Sequence, residues 1–264
     1  MSEMSLAILL SETYRDQLNQ LARATGLPLI NNEQFIPSIY PYTLQYQKNT
    51  LCLQESDSRS GPVLVDFLAG KSTYRRLKGG GELIVKAVTA GVKQPLRVWD
   101  VTAGLGRDSF VLAAAGCEMT LIERSRIIAA LLADGLSRAE EEGDEEVRAI
   151  IARMQLKVAD ARDLLCSITN DDKPDVIYLD PMFPISKKSA QVKKEMRSFH
   201  YVVGEDATGE ELLEEAINRV RYRVVVKRPK KSAYLSGKAP NFSLEGKAVR
   251  FDIYAVKALN KRAN

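Results

Sequence analysis

The stretch RVWDVTAGLGRDSFVLAAAGCEMTLIE, Arg97 to Glu123, decides the fold. It opens on a short apolar run, Arg97 to Val101, and breaks at a turn holding Gly104 and Gly106. Helical spacing follows from Arg107 to about Ala115, and a second apolar run, Glu118 to Glu123, closes the unit. Strand, glycine turn, helix and strand in that order predict a parallel pair joined by a crossover helix. Two glycines at such a turn let backbone come close to a ligand, and the next helix offers free N–H groups there.

Downstream the pattern repeats. Arg124 to Glu142 reads as a helix, and Gln155 to Ala159, Asp175 to Asp180 and Tyr222 to Lys227 read as strands. The alternation predicts an α/β, Rossmann-like, mostly parallel sheet with helices on both faces and ligands at the carboxyl ends of the strands. Ala248 to Lys257 alternates strictly with no long helix before it, which predicts a final antiparallel strand closing an edge of the sheet. Upstream, residues 1–60 read as a small α+β subdomain: a strand at Ser5 to Leu10, a helix at Glu12 to Ala24, and a hairpin turning at Lys48-Asn49 between Thr43–Tyr46 and Leu51–Gln54. Ser56 to Pro62 reads as a linker, and residues 61–264 form the second predicted domain, with a helix at Glu82 to Ala90 behind Gly79–Gly81.

Composition bounds the chemistry. With 264 residues, 45% apolar and 27% charged, the chain has the mixture of a soluble globular protein. No apolar run nears the roughly 18 residues of a membrane helix, and Glu3 stands where a secretory leader wants Lys or Arg, so a cytoplasmic location is expected. Three scattered cysteines and a single histidine, His200, argue against a disulfide framework, a metal site or a Ser-His-Asp hydrolase. The net charge of +4 hides opposed runs: Glu140–Glu146 and Glu210–Glu215 are acidic, Lys187–Arg197 and Arg219–Lys231 basic. The acidic runs read as solvated helix faces.

The glycine turn is not a dinucleotide fingerprint, because the third glycine position holds Ser109. Glu123 at the second strand's end suits two ribose hydroxyls, and Asp100 is expected to face the amino-acid end of a cofactor. Asp160, Asp163 and Asp180 follow at later strand ends. So many carboxylates disfavour a polyphosphate and suit a cation bearing amino groups, as S-adenosylmethionine does. Arg107 and Arg124 at the helix starts are placed to pair the cofactor carboxylate or the neighbouring acids.

Asp180-Pro181-Met182-Phe183-Pro184 resembles the [DNS]-P-P-[YFW] signature of methyltransferases acting on exocyclic amino groups, with Met182 replacing the second proline. Such an amino group is a poor nucleophile because its lone pair is delocalised into the ring. Hydrogen bonds accepted by the Asp180 carboxylate and the Pro181 carbonyl would aim that lone pair, and Phe183 would stack on the base. Lys187, Lys188, Lys193, Lys194 and Arg197 follow this loop, and Lys227, Arg228, Lys230 and Lys231 leave the next strand at the same edge. Both groups are candidate RNA phosphate contacts.

Together Val65-Asp66-Phe67, Tyr74-Arg75-Arg76, Gly79–Gly81, Asp100–Asp108, Tyr178–Pro184 and Lys187–Arg197 resemble the bacterial small-subunit ribosomal RNA guanine-N2 methyltransferases of the J type. The resemblance covers about Leu6 to Leu259 and implies a class I S-adenosylmethionine-dependent methyltransferase fold. It implies methylation of the exocyclic N2 of one guanosine in the 3′ minor domain of 16S rRNA, on the RNA or the 30S subunit. The family's cofactor contacts fall on Arg107, Asp108, Glu123, Arg124, Arg162, Asp163 and Asp180, with Asp160 near the adenine. The residue types themselves leave adenine N6, a protein glutamine, or a non-catalytic RNA-binding assembly role open.

Overall fold

The computed structural model describes residues 6–56, 61–68, 82–90, 92, 95–181 and 209–259. Its larger sheet is built from β5 (Arg97–Asp100), β6 (Glu118–Glu123), β7 (Met154–Val158), β8 (Val176–Leu179), β9 (Arg223–Pro229), β10 (Phe242–Glu245) and β11 (Val249–Ala255). The strand order is β10-β11-β9-β8-β5-β6-β7. From β5 to β9 neighbours pair in parallel, while β11 runs antiparallel to both β9 and β10. The chain enters at β5, works outward to β7, and returns to the other side of β5 as β8. That reversal opens a crevice between the carboxyl ends of β5 and β8, where open α/β sheets bind ligands.

Buried parallel strands are apolar on both faces, and β8 is the clear case, with all four residues buried. Between the strands lie α2 (Leu83–Thr89), α3 (Arg107–Ala114), α4 (Arg126–Glu142), α5 (Glu145–Ile151), α6 (Ala161–Ser167) and α7 (Gly209–Arg219). Valines of β9 divide between two apolar clusters: Val225 joins one, Val224 and Val226 the other. The acidic run Glu140–Glu146 is not one helix face. It spans the end of α4 and the start of α5, where the Asp144 side chain accepts from Val147 N at 2.8 Å and Glu145 and Glu146 occupy the first turn. Acids there complement the free N–H groups and the helix dipole.

One expectation changes. The final strand is antiparallel as predicted, but it does not close the edge, because β10 pairs outside it. Sandwiched in this way, Asp252 and Ile253 are fully buried.

The smaller sheet comprises β1 (Leu6–Leu9), β2 (Leu29–Ile30), β3 (Tyr42–Gln47) and β4 (Thr50–Glu55) in the order β2-β1-β3-β4, with α1 (Arg15–Thr25) following β1. Lys48 and Asn49 turn the β3–β4 hairpin with φ of 50° and 60°, as a tight two-residue hairpin turn requires. Of the predicted linker, residues 57–60 lie outside the described residues. Beyond it Val63 bonds back to Leu53 in both directions, at 2.8 and 2.9 Å. The segment that follows the smaller sheet packs on α4 at Gly135, where an added Cβ would lie 2.3 Å from Val65 Cγ1. Asp134 accepts from Leu51 N at 3.2 Å and pairs with Arg138 at 2.8 Å, while Arg138 also donates to the Val65 carbonyl.

Candidate active site

The turn after β5 is tied to both neighbouring strands. Val101 N donates to the Tyr178 carbonyl and Ala103 N to that of Ile122, each at 3.1 Å. Gly104 and Gly106 then take φ of 53° and 69°, and a Cβ at Gly106 would press to 2.7 Å from Leu132 Cδ1. Left-handed backbone and the wall of α4 together require glycine at 106. At the end of β6 the buried Glu123 accepts from Gly104 N at 2.9 Å and Ser125 N at 2.8 Å. These two backbone N–H groups fix the Glu123 carboxylate at the end of β6, beside the glycine turn.

Asp100 differs from expectation. It is 2% exposed, and its oxygens accept from Thr102 N at 3.1 Å and from Ser109 Oγ at 2.5 Å. Its side chain therefore organises the turn instead of facing outward. Burial pushes its carboxyl up to about 7 against the opposing pull of the Ser109 and Thr102 hydrogen bonds. Ser109, which breaks the dinucleotide fingerprint, has a positive role here as the partner of this acid.

The centre of the site is one ammonium between two carboxylates. Lys227 Nζ lies 2.7 Å from both Asp108 Oδ2 and Asp180 Oδ2. Tyr178, buried in β8, donates its hydroxyl to the same Asp108 oxygen at 2.8 Å. Asp180 N donates to Thr102 Oγ1 at 2.7 Å, so the residue after β8 is fastened to the glycine turn. Asp180 keeps 36% of its side-chain surface accessible at the mouth of a deep setting. That enclosure raises its carboxyl pKa, with Lys227 opposing the rise and Asp108 adding to it. Burial alone would lower the Lys227 pKa, but Asp180 and Asp108 outweigh it and raise it, so the ammonium stays charged.

Asp160 caps α6 through Arg162 N at 2.9 Å, and the Arg162 guanidinium binds it at 3.2 Å while reaching Glu211 of α7 at 3.0 Å. The Arg162 hydrogen bond holds the Asp160 carboxyl below its usual range. Arg162 thus faces protein carboxylates, contrary to the ligand contact expected of it, whereas Asp163, Arg107 and Arg124 are exposed near the strand ends. Pro181 is buried beside Asp180; Phe183, Lys187, Lys188, Lys193, Lys194, Arg197 and Gly79–Gly81 lie outside the described residues.

The second basic group needs correction. Lys227 turns into the site, and Arg228 is 7% exposed with its guanidinium on the Ala233 carbonyl at 2.7 and 3.1 Å, so neither presents charge to a phosphate as the run suggests. Only Lys230 and Lys231 of that group are exposed. Sequence reasoning missed Thr102, Tyr178 and the role of Lys227. A tyrosine within an otherwise aliphatic buried strand was the available signal.

The donor set fits an adenosine-bearing cation. Acids stand at the ends of β6, β7 and β8, the turn between them is backbone, and no cluster of three or more metal-ligating side chains occurs among the described residues. The family model for SAM-dependent methyltransferases matches residues 29–256. A solved SAM-dependent methyltransferase from Neisseria gonorrhoeae superposes with a TM-score of 0.73 at 37% identity, covering 97% of this chain and 98% of that one. The ribosomal RNA small subunit methyltransferase J of Pseudomonas syringae pv. syringae (strain B728a) is 47% identical over 254 residues, 94% of this chain and 90% of the relative. That of Cellvibrio japonicus (strain Ueda107) is 42% identical over 265 residues, 97% and 99% respectively. Sheet order, glycine turn and this likeness agree: the chain belongs to the ribosomal RNA small subunit methyltransferase J family of SAM-dependent methyltransferases.

Proposed function

We propose that the chain methylates the exocyclic N2 amino group of a guanosine in small-subunit ribosomal RNA, in the cytoplasm. S-adenosylmethionine, when bound, supplies an electrophilic methyl group on a cationic sulfur. The carrying observation is Asp180 beside the glycine turn, its backbone N–H bound by Thr102 and its carboxylate by Lys227. Because Lys227 takes Oδ2, Oδ1 is the oxygen left to accept from the amino N–H. With the Pro181 carbonyl as second acceptor, the amino group is oriented and its lone pair freed from the ring, which is catalysis by positioning and electrostatics. The proton shed by the nitrogen passes to Asp180 Oδ1 and on to solvent. Phe183 stacks on the base. Gly104, Gly106, Glu123 and Asp160 hold the cofactor's ribose and adenine side, with Arg107, Asp108, Arg124 and Asp163 around them. Asp100, Ser109 and Thr102 position the turn. Lys187, Lys188, Lys193, Lys194, Arg197, Lys230 and Lys231 contact phosphates.

Small-subunit rRNA incubated with labelled cofactor, digested to nucleosides, should yield N2-methylguanosine. Asp180→Ala should reduce the rate about 100-fold or more while weakening cofactor binding only moderately by calorimetry. Label on adenine or on protein would overturn the target, and full turnover by the variant would overturn the role of Asp180. The Lys227–Asp180 contact, partly accessible at the sheet's crevice, favours this reading over a non-catalytic assembly role, which would not need a carboxylate kept charged there.

A further inference from the structure

We propose that Tyr234 is a stacking platform for an unpaired nucleotide of the RNA, beside the site and separate from the reacting guanosine; this rests on the functional reading above. The loop after β9 is held by buried charge. Arg250, 6% exposed, donates to the Lys230 carbonyl at 2.7 Å and the Ser232 carbonyl at 2.9 Å. Arg228 takes the Ala233 carbonyl, and the fully buried Asp252 binds Arg250 at 2.8 Å. Burying two guanidinium groups carries a desolvation penalty that an apolar anchor would avoid. What they produce is a loop of fixed shape.

That shape presents the Tyr234 ring, with the exposed Phe242 ring of β10 lining the same hollow. The Arg250 guanidinium lies 5.0 Å from the Tyr234 ring centroid, and Tyr234 nonetheless remains 43% exposed. Tyr234, Arg250, Lys230 and Lys231 line a single hollow. Its one acid, Glu245, is paired with Lys230 at 3.0 Å and Arg250 is paired with Asp252 at 2.8 Å, so Lys231 leaves the hollow with one positive charge. An exposed ring backed by a cation and bordered by lysine matches a base and its phosphate. Position agrees. Arg250 is in register with Arg228, whose neighbour Lys227 touches Asp180, and adjacent strands lie about 4.8 Å apart. Arg228 and Lys227 point to opposite faces, so a single-stranded segment that rounds the carboxyl edge of the sheet from the target would reach the hollow.

Binding of protein-free small-subunit rRNA and of small-subunit particles separates the possibilities. Tyr234→Ala should raise Kd for the RNA about fivefold or more, raise KM for RNA, and leave kcat at saturating RNA and the cofactor Kd unchanged. Tyr234→Phe, which keeps the ring, should bind as the wild type does. An unchanged RNA affinity in Tyr234→Ala overturns the platform, as does equal loss in Tyr234→Phe, which would assign the effect to the hydroxyl. Loss confined to the particle, with protein-free RNA unaffected, would instead mean a ribosomal protein docks here and also overturns it. A wild-type protein that neither binds nor methylates rRNA sinks the functional reading itself, whereas wild-type binding with an indifferent Tyr234→Ala sinks the platform alone.

Discussion

Lys227 holds one positive charge between Asp108 and Asp180, and the balance at Asp180 depends on it. Burial and the neighbouring Asp108 push the Asp180 carboxyl upward, and Lys227 pulls it down. In the proposed mechanism Asp180 must be ionised to accept from the amino group, so activity falls on the acid side as this carboxyl takes a proton. Because its pKa is raised, that fall begins at higher pH than for an ordinary carboxylate. Removing the ammonium removes the lowering influence. Lys227→Met should therefore move the acid limb of the kcat profile to still higher pH, and Lys227→Arg should restore most of it. An acid limb at the same pH in Lys227→Met, with kcat merely scaled, would mean the lysine only supports the fold. The chemistry of this centre was half legible beforehand. Asp180, Glu123 and the two glycines stand at strand ends and turn positions that spacing alone identifies. Lys227 does not, because in sequence it merges with Arg228, Lys230 and Lys231 into one basic run. Successive residues of a strand point to opposite faces, so Lys227 enters the site while Arg228 anchors the next loop, and composition carries no direction.

At the scale of elements, β8 and β9 were readable because strands covered on both faces are continuous apolar runs, as in Val176–Leu179 and Val224–Val226, whereas the edge strand β7 is half polar and only partly buried. β10 was not. Phe-Ser-Leu-Glu is four residues long and half polar, and it exists as a strand only because β11 offers it an edge. β2, two residues long, escaped for the same reason. Gly135 was equally silent, since a glycine inside a helix usually only weakens it. Here it admits Val65 against α4, with Val65 Cγ1 2.3 Å and Cβ 2.6 Å from where a methyl would sit. Two effects oppose each other in Gly135→Ala. Helix propensity would stabilise by about 1 kcal/mol, while overpacking costs about 1–3 kcal/mol. With contacts this short the clash should win, and thermal melting should shift down by a few degrees. An unchanged or raised Tm would show that Val65 yields easily and that the contact does not fix the segment around Val65 to α4.

Over the whole molecule, charge is sorted by position: carboxylates ring the carboxyl ends of β6, β7 and β8, and exposed lysines follow β9, a separation that the net +4 conceals. The division of the chain near residue 60 follows the change of sheet, but side chains of both sheets meet in one apolar cluster. Leu44, Leu51 and Leu53 belong to it together with Val98, Leu121 and Leu132. Asp134 and Arg138 of α4 add polar ties to Leu51 and Val65. We propose that the smaller sheet is a cooperative part of one folding unit and not an independently stable domain. Trp99, the sole tryptophan, lies in β5 of the larger sheet, so its fluorescence reports that sheet alone. The amides of Leu53 and Val63, bonded to each other's carbonyls, report the junction. In the intact protein, the free energy of unfolding from Trp99 fluorescence in denaturant should equal that from hydrogen exchange at Leu53 and Val63, as one all-or-none transition requires. Exchange at Leu53 and Val63 through an opening several kcal/mol below the Trp99 value would make the smaller sheet a separate foldon. The shared cluster would then be a domain interface, and unfolding of the smaller sheet should leave cofactor affinity intact.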